Sequence, residues 1–141
     1  DELSVTQETA KAVWVPNRNG VFISLAAAVA EGHKLDAVAV GFNLEEAATF
    51  ADNSEAFLNA MTTALSFSTR NKVEVVSATV SMTKTQIVES LSEVAFPFQY
   101  LWSCYRAGEL HCGVCESCSR LDRALKSKNR FDESKLLFGV S

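Results

Sequence analysis

The chain has 141 residues, of which 48% are hydrophobic and 21% charged, and its formal net charge is -4. That length allows a single domain with a real core, and that composition excludes a disordered chain. The acid excess argues against direct binding to nucleic acid, and no apolar run approaches the ~20 residues needed to span a bilayer.

Residues 1–10 are polar and read as a loop. The opening Asp1-Glu2-Leu3-Ser4, without an initiator Met, reads as a processed or truncated start. Ala12-Val13-Trp14-Val15, stopped by Pro16, predicts a buried strand. Asn17-Arg18-Asn19-Gly20 then turns the chain into a helix that begins at Arg18 and ends at Gly32. Its predicted inward face is Val21, Phe22, Leu25, Ala26 and Val29. Residues 36–42 form a continuous apolar run, short enough for a strand buried on both faces, and residues 43–53 read as an acidic, polar loop. A helix follows from about Ser54, a predicted N-cap, with Phe57, Leu58, Met61 and Leu65 inward.

Residues 72–76 predict a third strand. Thr83-Lys84-Thr85-Gln86 has the form of a capping box and opens a helix expected to bury Ile87, Val88 and Leu91. After Pro97 the chain is expected to extend through Phe98 to Trp102. Residues 116–129 predict a terminal helix, with Leu121 and Leu125 one turn apart.

Strands alternating with helices imply an α/β fold with a parallel sheet and flanking helices. Ligands bind such sheets outside the carboxyl ends of the strands. Three polar clusters fall there: Asn17, Arg18 and Asn19; Asn43, Glu45, Glu46 and Asp52; Thr83 and Lys84. A helix opening at Arg18 also points backbone N–H groups toward an anion. No G-x-x-x-x-G-K-[ST], G-x-G-x-x-G or G-x-S-x-G motif occurs, and neither His33 nor His111 sits in a triad-like pattern.

All four cysteines lie within the fifteen residues from Cys104 to Cys118, spaced C-x7-C-x2-C-x2-C. Four thiols this close read as one tetrahedral metal site, and zinc suits soft, charge-rich thiolates. Gly113 eases the first tight turn. Disulfides would need an oxidising compartment, for which no signal peptide speaks. A redox C-x-x-C pair would leave two cysteines unexplained. An iron–sulfur cluster remains the rival, although in ferredoxins the fourth ligand lies downstream and a Pro often follows. His111 reads as a solvated loop histidine. Arg120, Arg123, Lys126, Lys128, Arg130 and Lys135 read as a solvated helix face that offsets thiolate charge. The cysteine usage implies a cytoplasmic location, and the chain divides into an α/β part, residues 1–101, and a zinc-binding loop with terminal helix, residues 102–141.

Several motifs together resemble the 7-cyano-7-deazaguanine synthase family of queuosine and archaeosine biosynthesis. They are Val15-Pro16-Asn17-Arg18-Asn19-Gly20-Val21-Phe22, Val40-Gly41-Phe42-Asn43 and Asp52-Asn53-Ser54-Glu55-Ala56-Phe57. Thr83-Lys84 with Ile87-Val88, and Trp102-Ser103-Cys104-Tyr105 with Cys112, Cys115 and Cys118, complete the set. They occur in family order over roughly residues 13–125, as in the C-terminal portion of such a protein.

The resemblance implies an adenine-nucleotide-hydrolase-like α/β fold. It implies ATP-dependent ligation of ammonia to 7-carboxy-7-deazaguanine, with Mg2+ accompanying ATP. It implies zinc on Cys104, Cys112, Cys115 and Cys118. Arg18 and Lys84 are then expected at phosphate or carboxylate oxygens, Asn43 with Glu45 or Asp52 at the deazaguanine edge, and Asn19 among the substrate-binding residues. One departure stands out: the family's S-G-G-x-D-S phosphate loop has no match in residues 1–141. The chain is therefore expected to be inactive alone and to need either a preceding segment or a homodimeric partner. A non-catalytic zinc-stapled interaction domain is the alternative. A sulfur-transfer relative carrying an iron–sulfur cluster is a third reading.

Overall fold

Parallel strands cannot be joined by a tight turn, so the chain between them must cross over, usually through a helix. The computed structural model describes residues 12–139, so the expected loop at residues 1–10 lies outside the described residues. The chain forms two compact units, Val15–Met82 and a second that joins the residues before Val15 to those from Thr83 onward.

The first unit contains α1 (Arg18–Gly32), β1 (Ala37–Ala39), α2 (Leu44–Ala47), a 3-10 turn (Ala51–Asn53), α3 (Glu55–Ser68) and β2 (Glu74–Val76). β1 and β2 pair in parallel, with Ala37 opposite Glu74, Val38 opposite Val75 and Ala39 opposite Val76. Two amides of the second strand segment, Val73 and Val75, donate to the hydroxyls of Thr69 and Thr62 at 2.9 Å. The residues of α3 and its C-cap thus occupy backbone groups that an edge would otherwise leave open. Ser54 caps α3 as expected, its hydroxyl accepting from the Phe57 N–H at 3.2 Å. The core is Ile23, Ala27, Ala30, Phe42, Leu58, Leu65, Val73 and Val75, with Phe57 and Met61 packed against it.

Several expectations for residues 12–53 are overturned. The predicted strand at residues 12–15 is not one: Ala12 and Val13 are helical, and Trp14 and Val15 are exposed and irregular. The Arg18 N–H bonds the Val15 carbonyl at 3.2 Å, so this segment turns where a strand would need a neighbour. The strand predicted at 36–42 is shorter, and it is not buried on both faces, since Ala37 and Ala39 are exposed. α1 has the predicted ends, but it buries Gly20, Ile23, Ala27 and Ala30. Val21, Phe22, Leu25 and Val29 face outward, 48–63% exposed. Small residues on the inner side let the helix approach β1 and α3 closely, which the larger stripe would prevent. The loop expected at 43–53 also holds the short α2 and the 3-10 turn.

The second unit contains α4 (Lys84–Glu93), a 3-10 turn (Phe98–Tyr100), the cysteine loop, α5 (Glu116–Ser127) and α6 (Phe131–Phe138). The capping box at Thr83 and Gln86 forms as expected. Val88 is fully buried, whereas Ile87 and Leu91 are half-buried. The predicted extension after Pro97 is instead the 3-10 turn. The helix expected to be terminal is followed by α6, because Asn129 adopts a left-handed conformation (φ 58°) that stops α5 and redirects the chain. Val88, Phe98, Leu121, Ala124, Leu125 and Leu137 form the core here. Arg120 and Arg130 depart from the expected solvated face: Arg120 pairs with buried Glu116, and Arg130 lies 5.7 Å above the Phe98 ring.

Asp122 ties the last two helices together, accepting from Ser134 Oγ at 2.5 Å and from Lys126 Nζ at 2.7 Å. Burial opposes its ionisation, but the hydrogen bonds from Lys126 and Ser134 outweigh it and hold the carboxyl below the usual carboxylate range. A depressed native pKa contributes stability that is present above the ordinary value and lost as pH falls through the native one. Asp122→Asn is therefore expected to lower stability by about 1 kcal/mol at neutral pH. The gap to the parent should close in acid, as denaturant melts at several pH values will test.

Candidate functional site

Two clusters of polar chemistry emerge, one in each unit. The first is at the carboxyl ends of β1 and β2. Leaving β1, the Phe42 carbonyl accepts two hydroxyls from the segment after β2, Thr79 Oγ1 at 2.6 Å and Ser77 Oγ at 3.2 Å. The Leu44 N–H donates to the Met82 carbonyl at 3.0 Å. These bonds clamp the two post-strand loops together and hold Asn43, which is 4% exposed. Asn43 Oδ1 accepts the Glu46 N–H at 3.0 Å, capping the helix that carries Glu45.

Asn19 Nδ2 donates to the main-chain carbonyl of Asp52 at 3.2 Å, which brings the start of α1 to the 3-10 turn. Asn17, the N-cap of α1, is left-handed (φ 56°). A Cβ added at Gly20 would lie 2.2 Å from Asn17 Oδ1, so the glycine leaves the space the asparagine amide occupies. Arg18 is exposed at the first turn. Of the residues expected here from the sequence, Asn19 is thus joined to Asp52, and Asn43 shares its cap with the helix bearing Glu45. Lys84 belongs to the other unit, where its ammonium donates to Ser117 Oγ at 3.2 Å. Ser77 and Thr79 escaped the sequence reading, although their place just after a parallel strand was a usable signal.

The second cluster is the cysteine loop. The four sulfurs lie within 4.8 Å of one another, and Cys112 Sγ and Cys118 Sγ are 3.9 Å apart. A tetrahedron with zinc–sulfur bonds of 2.3 Å has edges of about 3.8 Å, so the donor set fits a four-coordinate ion. All four are free thiols. Local folding produces this: the amides of Arg106 and Cys112 point at Cys104 Sγ (3.3 and 3.5 Å), and that of Cys115 points at Cys112 Sγ (3.4 Å). Gly113, at φ 70°, takes the left-handed turn between the two. Cys115 is the N-cap of α5, which carries Cys118 on its first turn.

Burial resists ionisation of Cys112, yet hydrogen bonds from the Val114 and Cys115 amides and from the Cys104 and Cys115 thiols prevail, bringing its pKa down to about 6. For Cys118, burial and its hydrogen bond with Cys115 act together and push the thiol up. The sulfurs thus differ in their readiness to ionise, Cys112 ionising more easily and Cys118 less easily than an ordinary thiol.

Around the loop, Glu116 is 4% exposed and forms an ion pair with Arg120, and Tyr105 Oη approaches its other oxygen at 3.5 Å. His111 is 5% exposed, which overturns its reading as a solvated loop residue. Its ring lies between Trp102 (4.7 Å) and Phe138 (5.1 Å). Burial lowers its pKa, against the opposing hydrogen bond to the Leu137 carbonyl.

Comparison with known proteins places this geometry in context. The sequence profile described as "Queuosine biosynthesis protein QueC" matches residues 1–129. A 7-cyano-7-deazaguanine synthase of Methanosarcina mazei is 50% identical over 123 residues, covering 87% of this chain and 53% of the relative. The proteins of the same name from Pelotomaculum thermopropionicum and Carboxydothermus hydrogenoformans are 50% and 52% identical. They cover 90% and 79% of the chain, and 58% and 52% of their own lengths. The chain spans about half the length of the curated relatives it matches.

Proposed function

The chain belongs to the queuosine biosynthesis protein QueC family, and from that premise we propose that it is the substrate- and zinc-bearing portion of a nitrile-forming ligase. The reaction converts 7-carboxy-7-deazaguanine and ammonia to 7-cyano-7-deazaguanine at the expense of ATP. The observation that supports this best is the family match over residues 1–129, a span that takes in both the clamped post-strand loops and the cysteine quartet.

Adenylation of the carboxylate turns a poor leaving group into a good one. Ammonia then displaces AMP to give the amide, and a second activation permits loss of water to the nitrile. The protein's task is orientation and charge neutralisation. Arg18, at the N-terminus of a fifteen-residue helix, is suited to carboxylate or phosphate oxygens. Asn43 has committed its Oδ1 to Glu46, so its amide nitrogen is the atom to offer a base, a donor matched to the ring carbonyl. The carboxylates of Asp52 and Glu45 are acceptors matched to the ring N–H and the 2-amino group. Asn19 donates to Asp52, which leaves its own oxygen as an acceptor.

Zinc, when bound by Cys104, Cys112, Cys115 and Cys118, supplies a structural crosslink, since all four positions are protein thiolates and none remains for substrate. The phosphate loop that has no match here, and Mg2+ with ATP, come from elsewhere in the active assembly. The outward stripe of Val21, Phe22, Leu25 and Val29 is the surface we assign to that missing segment or to a second copy. No helix among the described residues is long and apolar enough to cross a membrane. We place the reaction in the cytoplasm, where free thiols persist.

Calorimetric titration with 7-carboxy-7-deazaguanine tests the reading. The parent should bind, and Arg18→Ala should weaken binding by roughly tenfold, the loss of one charge-assisted contact. A parent that ignores the base would favour the interaction-domain reading, and iron with acid-labile sulfide would favour the sulfur-transfer reading.

A further inference from the structure

We propose that His111 is the positioning residue that holds Cys104 and Cys112 at ligand spacing, acting through the Nε2 atom that accepts from the Ser103 amide. This inference rests on the reading of the four cysteines as a metal site.

Cys104 reaches the cluster alone, separated from the other three ligands by seven residues of irregular chain. The Arg106 and Cys112 amides meet its sulfur, and a further bond holds the chain on its upstream side. The Ser103 N–H, one residue before Cys104, donates to His111 Nε2 at 3.0 Å. The main-chain N–H of His111, one residue before Cys112, donates to the Leu137 carbonyl near the end of α6 at 3.0 Å. One residue therefore ties the upstream ligand segment to the downstream one, and anchors both to a regular helix.

The Trp102 and Phe138 rings flank the imidazole and fix its plane. Trp102 in turn donates from Nε1 to the Cys104 carbonyl at 3.1 Å, so both neighbours of the Ser103 amide are held. An acceptor at Nε2 places the ring proton on Nδ1, and the ring then has no lone pair to offer an ion. Its task is orientation of a ligand-bearing segment, of the kind whose removal costs about 10–100-fold in metal affinity.

The test uses the zinc-loaded 141-residue chain and measures zinc transfer to a chromogenic chelator. His111→Phe keeps a flat ring between Trp102 and Phe138 but lacks the acceptor. His111→Gln lacks the ring but sets Oε1 where Nε2 stood. Release from His111→Phe should be about 10–100-fold faster than from the parent, with His111→Gln within a few-fold of it. Should the Phe variant not be recovered folded, His111→Asn, too short to reach the Ser103 amide, takes its place with the same expectation. Equal release from parent and Phe variant would overturn the proposal, and so would fast release from the Gln variant. A parent that carries no metal would overturn the metal reading itself, and this role with it.

Discussion

Cys115→Ser is expected to release the metal and unfold the chain from about residue 100 onward, leaving the Val15–Met82 unit folded. Cys115 is 5% exposed, and its sulfur joins three others within 4.8 Å. A serine hydroxyl is a hard, neutral donor that does not ionise near neutral pH, so the site would fall to three thiolates with an oxygen in the fourth place. Structural zinc contributes on the order of 10–16 kcal/mol of apparent binding energy, comparable to the whole stability of a small domain.

The loss should stay local for a structural reason. Cys104, Cys115 and Cys118 form their own buried cluster with Phe138 packed against it, whereas Ile23, Ala27, Leu58, Leu65, Val73 and Val75 form another core. Hydrogen exchange should therefore show lost protection along α5 and α6 with protection retained in α1 and α3. Unchanged melting and full metal content in the serine variant would refute the structural role of the quartet.

Arg120→Ala should be the most damaging change outside the cysteines. Glu116 sits in the first turn of α5, its side chain 3% exposed, and Arg120 one turn later is 16% exposed. A buried pair adds little over a hydrophobic pair of the same shape, because both charges give up their hydration. Removing one partner is different. The remaining carboxylate is left buried without its counter-charge, and the cost should be about 3–5 kcal/mol.

The neutral pair Glu116→Gln with Arg120→Met should recover most of that loss, since neither side chain then demands a counter-charge. Denaturant midpoints of the single and double variants decide the matter. A double variant as unstable as Arg120→Ala would mean that Arg120 acts by packing rather than by charge.

Both predictions concern the cysteine loop and the helix it opens, where the clustering of the thiols could be read from spacing, and the reason is locality. Cys112, Cys115 and Cys118 converge through tight turns and one helical step, geometry that a few residues encode among themselves. The Ser54 cap and the capping box at Thr83 and Gln86 were legible for the same reason, each being closed within four residues. The clamp on the Phe42 carbonyl was not, because Ser77 and Thr79 lie more than thirty residues away and meet it only when β1 and β2 pair.

By itself, then, the sequence determined what could be settled between near neighbours: helix ends, caps, the α/β alternation and the gathering of the four cysteines. The tertiary structure alone decided questions that depend on distant surfaces. Two stripes of α1 recur at helical spacing, and only contact with β1 and α3 selected the one with Gly20, Ala27 and Ala30, whose small side chains permit close approach. His111 became a buried strut rather than a wet loop residue because α6 folds back to cover it with Phe138 and to receive its N–H on Leu137. Hydrophobicity and spacing carry no term for which of two faces another element will cover, and that choice placed the residues on which both clusters depend.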